Sequence, residues 1–136
     1  MSGASSLFEG SVWLSQDDIP EKGETIFVSS AAGAVGQLVG QIAKREGLTA
    51  IGSVGSDEKL DFIAKELGFD AGFNYRNEKP KDALPRLAPN GIDIYLENVG
   101  GDHLEAALAS MNNDGRIAVC GMLVGKNFGK AVLKDR

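Results

Sequence analysis

Short apolar runs alternate along this chain with amphipathic segments of helical spacing. The clearest run, Thr25 to Val28, is β-branched and aromatic, which is typical of a buried parallel strand. From Ala34 onward, apolar residues recur at helical spacing until Gly47 ends the pattern. A strand, a tight turn and a helix therefore form a first βα unit.

The same alternation continues through the rest of the chain. Ser56 and Asp102 are predicted to cap helices, and Pro80 to open one in which Pro85 either lies in the first turn or limits the length. The further predicted strands are Thr49 to Val54, Ala71 to Tyr75, Ile92 to Leu96 and Gly115 to Gly121. This order predicts an α/β fold, a single doubly wound domain with a parallel sheet and right-handed crossovers.

The two ends of the chain do not follow this alternation of strands and helices. We therefore divide it into an N-terminal extension (1–20), an α/β domain (21–121) and a C-terminal tail segment (122–136). Leu7 to Leu14 fits a short helix or a strand equally well. Gly129 to Lys134 could add an edge strand flanked by lysines, which would discourage edge-to-edge association.

The turn after the first strand carries the spacing Ala31-x-Gly33-x-x-Gly36. This is the dinucleotide fingerprint with alanine at its first position, in which a diphosphate lies against the free N–H groups of the helix N-terminus. A glycine turn used only for packing, or a loop that binds S-adenosylmethionine, can have the same spacing. Because the required strand and helix are both predicted, we favour dinucleotide binding. The candidate contacts in this turn are Ala32, Gly33, Ala34, Val35 and Gly36.

Composition excludes several other classes of function. The 136 residues carry a formal net charge of -5, which argues against nucleic acid as a partner. No run is long enough to span a membrane, and the first six residues lack the features of a secretion signal, so we expect a cytoplasmic protein. One cysteine and one histidine cannot build a structural zinc site within the chain, so no metal is expected.

Five segments together resemble a known family. They are GETIFVSSAAGAVGQLVGQIAK (23–44), GSDEK (55–59), LGFDAGFNY (67–75), ENVGG (97–101) and GRIAVCG (115–121). The chain resembles the zinc-independent medium-chain dehydrogenase/reductases, in particular the NADPH-dependent alkenal, prostaglandin and leukotriene B4 reductases. The resemblance implies a Rossmann-type domain that binds NADP(H), in an oxidoreductase that reduces the carbon–carbon double bond of α,β-unsaturated aldehydes or ketones.

Lys59 is the candidate that bears on the choice of cofactor. NAD-specific domains place an acid at the end of the second strand, whereas Gly52 to Gly55 offers none, so a 2′-phosphate fits better. The resemblance assigns Lys59 to that phosphate. The alternative is an ordinary solvated lysine, whose charge Asp57 and Glu58 partly offset.

Tyr75 and Asn98 follow strands, at the sheet edge where ligands bind. The resemblance implies that Tyr75 contacts the adenosine side of NADP and that Asn98 contacts the diphosphate or the nicotinamide ribose. The alternatives are a half-buried aromatic at a strand end and a residue that supports the turn. Tyr75 and Lys79 also have the Tyr-x-x-x-Lys spacing of short-chain dehydrogenases, which we reject because Asn77 and Pro80 indicate a loop.

The remaining candidates lie near the C-terminus. We include Cys120 and Gly121, at the end of the fifth strand, among the cofactor-binding positions, although Cys120 is in an apolar strand without a nearby base and should pack in the core. Asn127 resembles a cofactor-contacting asparagine of the family. His103, at a helix start, is predicted to be a surface residue rather than a proton-transfer group.

The length departs from the family pattern. Members of the family are two to three times as long and carry a catalytic domain before the cofactor domain, while only some twenty residues precede Gly23 here. We therefore expect a truncated form without a nameable catalytic side chain. The alternative function is a non-catalytic NADP(H)-binding short form. Apolar surface that a neighbouring domain would cover is compatible with a homodimer in either case.

Overall fold

A computed structural model describes residues 21–119 and 130–132 of the chain. The predictions for Leu7 to Leu14, Cys120, Gly121 and Asn127 lie outside these residues. The helices are α1 (Ala34–Arg45), α2 (Asp57–Lys65), α3 (Pro80–Leu87) and α4 (Gly101–Ser110). The strands are β1 (Thr25–Val28), β2 (Thr49–Val54), β3 (Ala71–Asn74), β4 (Ile92–Glu97), β5 (Met111–Val119) and β6 (Lys130–Val132).

The strands form one sheet in the order β3-β2-β1-β4-β5-β6. The first five are parallel, and β6 pairs antiparallel with β5 at the edge. Along the chain, the order runs outward from β1 to β3 and then returns to the other side of β1. The predicted α/β fold with a doubly wound parallel sheet is confirmed, and its switch point lies between β1 and β4.

The core has two layers because successive side chains of a strand point to opposite faces of the sheet. Ile26 and Val28 pack with residues of α1 and α2 on one face. Phe27 and Tyr95 pack with residues of α3 and α4 on the other face. Each face of the sheet is therefore covered by two helices, which buries the strands on both sides.

Two local predictions are wrong. Asp102 does not cap α4, because Gly100, with φ of 78°, is the N-cap and the helix begins at Gly101. The fifth strand begins at Met111, four residues before the predicted start. Its polar first residues are held by tertiary contacts: the pairing with β4 shifts register between Ile92 and Ile94, and the Asn112 side chain donates to Asp93 at 2.9 Å.

Candidate nucleotide site

The turn between β1 and α1 is fixed by backbone hydrogen bonds. The N–H of Ala31 donates to the carbonyl of Ser53 in β2 at 2.9 Å, and the N–H of Gly33 donates to the carbonyl of Ser30 at 3.0 Å. Ser30 has φ of 52°, in the left-handed region that a non-glycine residue adopts only at an energetic cost. The turn is therefore held in one shape by its own chain and by the neighbouring strand.

Gly36 allows α1 to start directly against this turn. A Cβ atom at this position would lie 2.3 Å from the carbonyl oxygen of Ser30 and 2.9 Å from Cα of Ala31. Both neighbours are backbone atoms in the pinned turn, so they cannot easily move away. Only glycine fits at the third position of the motif.

The N-terminus of α1 is suited to an anion. Gly33 is its N-cap and supplies no side-chain hydrogen bond, and the first turn holds no acidic residue. The first N–H groups of a helix have no partner within it, and the helix dipole adds positive potential there. By contrast, α2 is capped by Ser56, whose hydroxyl accepts from the Lys59 N–H at 3.2 Å, and carries two acidic residues in its first turn.

A cavity of about 150 Å³ lies beside this turn. Its lining joins the glycine turn, the end of β2, the first turn of α2 and the residue after β3. The lining residues are Ser30, Ala32, Gly33, Val54, Gly55, Lys59 and Tyr75. The structure therefore brings the predicted residues Ala32, Gly33, Lys59 and Tyr75 to one cavity.

Gly55 and Tyr75 lie close together in the lining of this cavity. A Cβ atom on Gly55 would lie 2.9 Å from the Tyr75 hydroxyl, so a side chain there would require the phenol to shift from this position. The Tyr75 backbone N–H donates to the carbonyl of Val54 at 3.0 Å, which ties the residue to β2. The Tyr75 side chain is 40% exposed and is one wall of the cavity.

Asn98 connects the two strands at the switch point. Its backbone N–H donates to the hydroxyl of Ser29 at 3.0 Å, and its side-chain amide donates to the Ser29 carbonyl at 2.9 Å. The Ser29 hydroxyl in turn donates to the carbonyl of Leu96 at 3.0 Å. Asn98 thus holds the turn after β1 to the end of β4, and it is not among the residues that line the cavity beside Lys59.

The prediction of a surface position for His103 is wrong. The residue is 5% exposed, and its Nε2 lies 2.9 Å from the hydroxyl of Ser53, itself fully buried. Burial lowers the pKa of His103, while the nearby carboxylates of Glu97 and Asp102 act in the opposite direction. His103, Ala106 and Ala107 are buried together, so helical spacing with two small residues was the signal that could have located it.

Two buried polar groups at the end of β4, next to the switch point, were not predicted from the sequence. The hydroxyl of Tyr95 and Oε1 of Glu97 are buried without a hydrogen-bond partner among the described residues. Burial raises the pKa of Tyr95 well above its ordinary value. The Ser29 side chain acts to lower this pKa, and the Glu97 carboxylate acts to raise it further. Tyr95 lies in β4 and Ser29 follows β1, so the two side chains come together because β1 and β4 are neighbours in the sheet.

Two further observations concern metals and membranes. Among residues 21–119 and 130–132, no three His, Cys, Asp or Glu side chains are grouped so that they could hold a metal ion. In the same part of the chain, no helix combines the length and the apolar character needed to cross a bilayer.

The sequence of this chain is similar to those of known oxidoreductases. The chain is 66% identical over 109 residues to the NADP-dependent oxidoreductase RED1 of Cochliobolus heterostrophus. The matched region covers 80% of this chain and 31% of that protein. It is 58% identical over 110 residues to the NADP(+)-dependent 2-alkenal reductase of Nicotiana tabacum, covering 80% of this chain and 32% of the relative. The chain thus spans under a third of the length of these relatives.

A solved structure has the same fold. CurA from Vibrio vulnificus in complex with NADPH superposes with a TM-score of 0.74 at 36% identity, covering 88% of this chain and 34% of CurA. A family model described as zinc-binding dehydrogenase matches residues 34–134. The chain belongs to the zinc-binding dehydrogenase family.

Proposed function

We propose that this chain is the NADP(H)-binding domain of an oxidoreductase that reduces the carbon–carbon double bond of α,β-unsaturated aldehydes or ketones. The observation that carries the proposal is the cavity that joins the glycine turn to Lys59 and Tyr75. An alkenal reductase among the relatives, and the NADPH complex of CurA, support this substrate class and this cofactor.

The residues of the site fit the parts of NADP(H). The uncapped N-terminus of α1, with Ala34, Val35 and Gly36 in its first turn, would hold the diphosphate. The exposed ammonium of Lys59 would pair with the 2′-phosphate. Tyr75, which lines the same cavity, would bound the adenosine side next to that phosphate.

Asn98 orients the two strand ends between which a dinucleotide binds in such sheets. When bound, the cofactor supplies the hydride that adds to the β-carbon of the enone. The share of the described residues is to bind and orient the cofactor, which is a positioning contribution. The family description names zinc, but the described residues offer no ligand set for it, and no step of the proposal uses a metal.

Several points stay predictions. These are the cofactor contacts of Cys120, Gly121 and Asn127, the division of the chain at residues 21 and 121, the cytoplasmic location and the homodimer. A non-catalytic NADP(H)-binding form is the second candidate, because no catalytic side chain can be named here. An assay of NADPH oxidation with a simple enone distinguishes the two functions.

The proposal is tested by titrating the protein with NADPH and with NADH and following nucleotide fluorescence. We expect tighter binding of NADPH, and Lys59→Ala should reduce that preference by roughly 5- to 30-fold, as for one charge-assisted contact. Lys65→Ala, at the other end of the same helix, is the matched control and should leave the preference unchanged. Equal affinity of the unsubstituted chain for the two nucleotides would contradict the assignment.

A further inference from the structure

The side chain of His103, near the start of α4, is held by contacts to three strands of the sheet. Its imidazole lies parallel to the rings of Phe27 and Phe73, with centroid distances of 6.2 and 6.3 Å. Nε2 lies 2.9 Å from the hydroxyl of Ser53 in β2, within hydrogen-bond distance. Contacts to residues of β1, β2 and β3 therefore hold the ring against the sheet.

Tyr75 rests against this fixed ring. The two rings meet edge to face, at 5.4 Å between centroids and 81° between planes, which is a favourable arrangement for an aromatic pair. Tyr75 is the first residue after β3 and is partly exposed, so ordering its side chain costs conformational entropy that a packing partner must offset. Among the described residues, His103 is the only aromatic ring found packed against Tyr75.

The contact also joins two parts of the candidate site. His103 lies in α4, which begins directly after the turn that carries Asn98 at the switch point. Tyr75 directly follows β3 and lines the cavity beside Lys59. The imidazole thus contacts residues of β1, β2 and β3 on one side and Tyr75, at the wall of the Lys59 cavity, on the other.

We propose that His103 is a positioning residue, whose ring holds Tyr75 in place as the wall of the cavity beside Lys59 and thereby sustains the preference for the 2′-phosphorylated nucleotide. This inference rests on the proposed NADP(H) binding. His103 touches no part of the nucleotide in this scheme and acts only through Tyr75. The ring is the feature that matters for this role, while the hydrogen bond to Ser53 serves the position of the ring itself.

Two substitutions separate the ring from the hydrogen bond. His103→Phe keeps an aromatic ring against Tyr75 but loses the bond to Ser53. His103→Gln places an amide nitrogen near the position of Nε2 but removes the ring. We expect His103→Gln to weaken NADPH binding by about three- to tenfold, the range of one aromatic pair, with NADH binding changed less than about twofold. His103→Phe should stay within about twofold of the unsubstituted chain for both nucleotides.

The position of Tyr75 is measured separately, by proton NMR of its ring without nucleotide. The ring resonances should move toward those of a free tyrosine in His103→Gln and change much less in His103→Phe, since an aromatic neighbour remains. Glu105→Gln, on the exposed side of α4, is the control and should alter neither binding nor the resonances. Should both His103 variants fail to fold, two measurements still test the inference. Proton NMR of the unsubstituted chain must show nuclear Overhauser effects between the rings of His103 and Tyr75, and Tyr75→Leu must lower the NADPH preference by about three- to tenfold. The absence of either result would overturn the inference.

The outcomes distinguish this inference from the proposed function. If the unsubstituted chain binds neither nucleotide, the proposed function fails and the specificity role fails with it. If it binds NADPH but His103→Gln keeps the same ratio of affinities, only the inference is overturned. Equal loss in His103→Phe and His103→Gln would also overturn it, because a merely structural histidine predicts that result. An additional loss when His103→Gln is combined with Tyr75→Leu would show that His103 does not act through Tyr75.

Discussion

At the scale of single residues, the glycine turn shows how backbone contact decides which positions tolerate a side chain. The Cβ of Gly36→Ala would meet two backbone atoms at less than 3.0 Å, whereas the Cβ of Gly33→Ala would lie 3.3 Å from one carbonyl oxygen and face solvent. We expect Gly36→Ala to lower the free energy of unfolding by about 1–3 kcal/mol or more, as overpacking does. Gly33→Ala should cost less than about 1 kcal/mol, since an N-cap preference is lost and the carbonyl of Ser30 has to move only slightly. Urea unfolding of both variants measures the difference, and equal losses would show that the turn can shift.

His103 leads to a prediction about pH. Burial lowers its pKa in the folded protein from the usual 6.5, so the unfolded chain takes up a proton first as the pH falls. The stability that the neutral ring contributes is therefore present above pH 6.5 and is lost as the pH falls below it toward the folded-state pKa. One such group changes the unfolding free energy by at most about 1.4 kcal/mol per pH unit.

The contribution of His103 is isolated by comparison with a variant that cannot titrate. Urea unfolding is measured at pH 7.5 and at pH 5.5 for the unsubstituted chain and for His103→Phe. We expect the unsubstituted chain to lose more stability over this range, because His103→Phe removes the one histidine of the sequence. Parallel losses would indicate that His103 is protonated equally easily in the folded and unfolded states.

At the scale of elements, the sequence predicted the parts whose signals are local. The bounds of β1 and β2 and the start of α1 agree with the structure, because β-branched runs and glycine boundaries act within a few residues. The start of β5 could not be predicted, since residues 111–114 are held partly by Asn112 bonded to Asp93 across the sheet. The cap of α4 was predicted wrongly because aspartate is a preferred N-cap residue. The helix instead begins after Gly100, whose positive φ a glycine adopts readily.

The cap of α2 is a local signal that the structure confirms, and it can be tested. The Ser56 hydroxyl accepts from the backbone N–H of Lys59, which satisfies one of the free donors of the first turn. Ser56→Ala should lower the unfolding free energy by about 1 kcal/mol. Asp61→Ala, in an exposed position of the same helix, is the control and should show no such loss. Thermal unfolding measures both variants, and an unchanged Ser56→Ala would mean that water replaces the cap at no cost.

At the scale of the whole molecule, the candidate site divides into a part that the sequence predicts and a part that it cannot. The glycine turn and Lys59 follow local motifs, and the structure places both at one cavity. Ser29, Ser53 and His103 acquire their roles only from the strand order β3-β2-β1-β4, which brings Asn98 against Ser29 and His103 against Ser53. Residues about 50 to 70 positions apart meet in these pairs, and no pattern along the chain encodes their contact.

Nucleotide binding at the end of a sheet should stabilise the whole fold, because only the folded chain presents the turn after β1, the end of β2 and the residue after β3 together. A ligand at about 100 times its Kd adds about 2.7 kcal/mol to the free energy of unfolding. We therefore expect saturating NADPH to raise the Tm of the unsubstituted chain by several degrees. Gly33→Asp should abolish this rise while leaving the Tm without nucleotide nearly unchanged, since aspartate is a good N-cap but repels a diphosphate. Gly33→Asn, a neutral cap of similar shape, should keep part of the rise. If NADPH stabilises Gly33→Asp as much as the unsubstituted chain, the diphosphate does not lie at this helix and the turn serves packing alone.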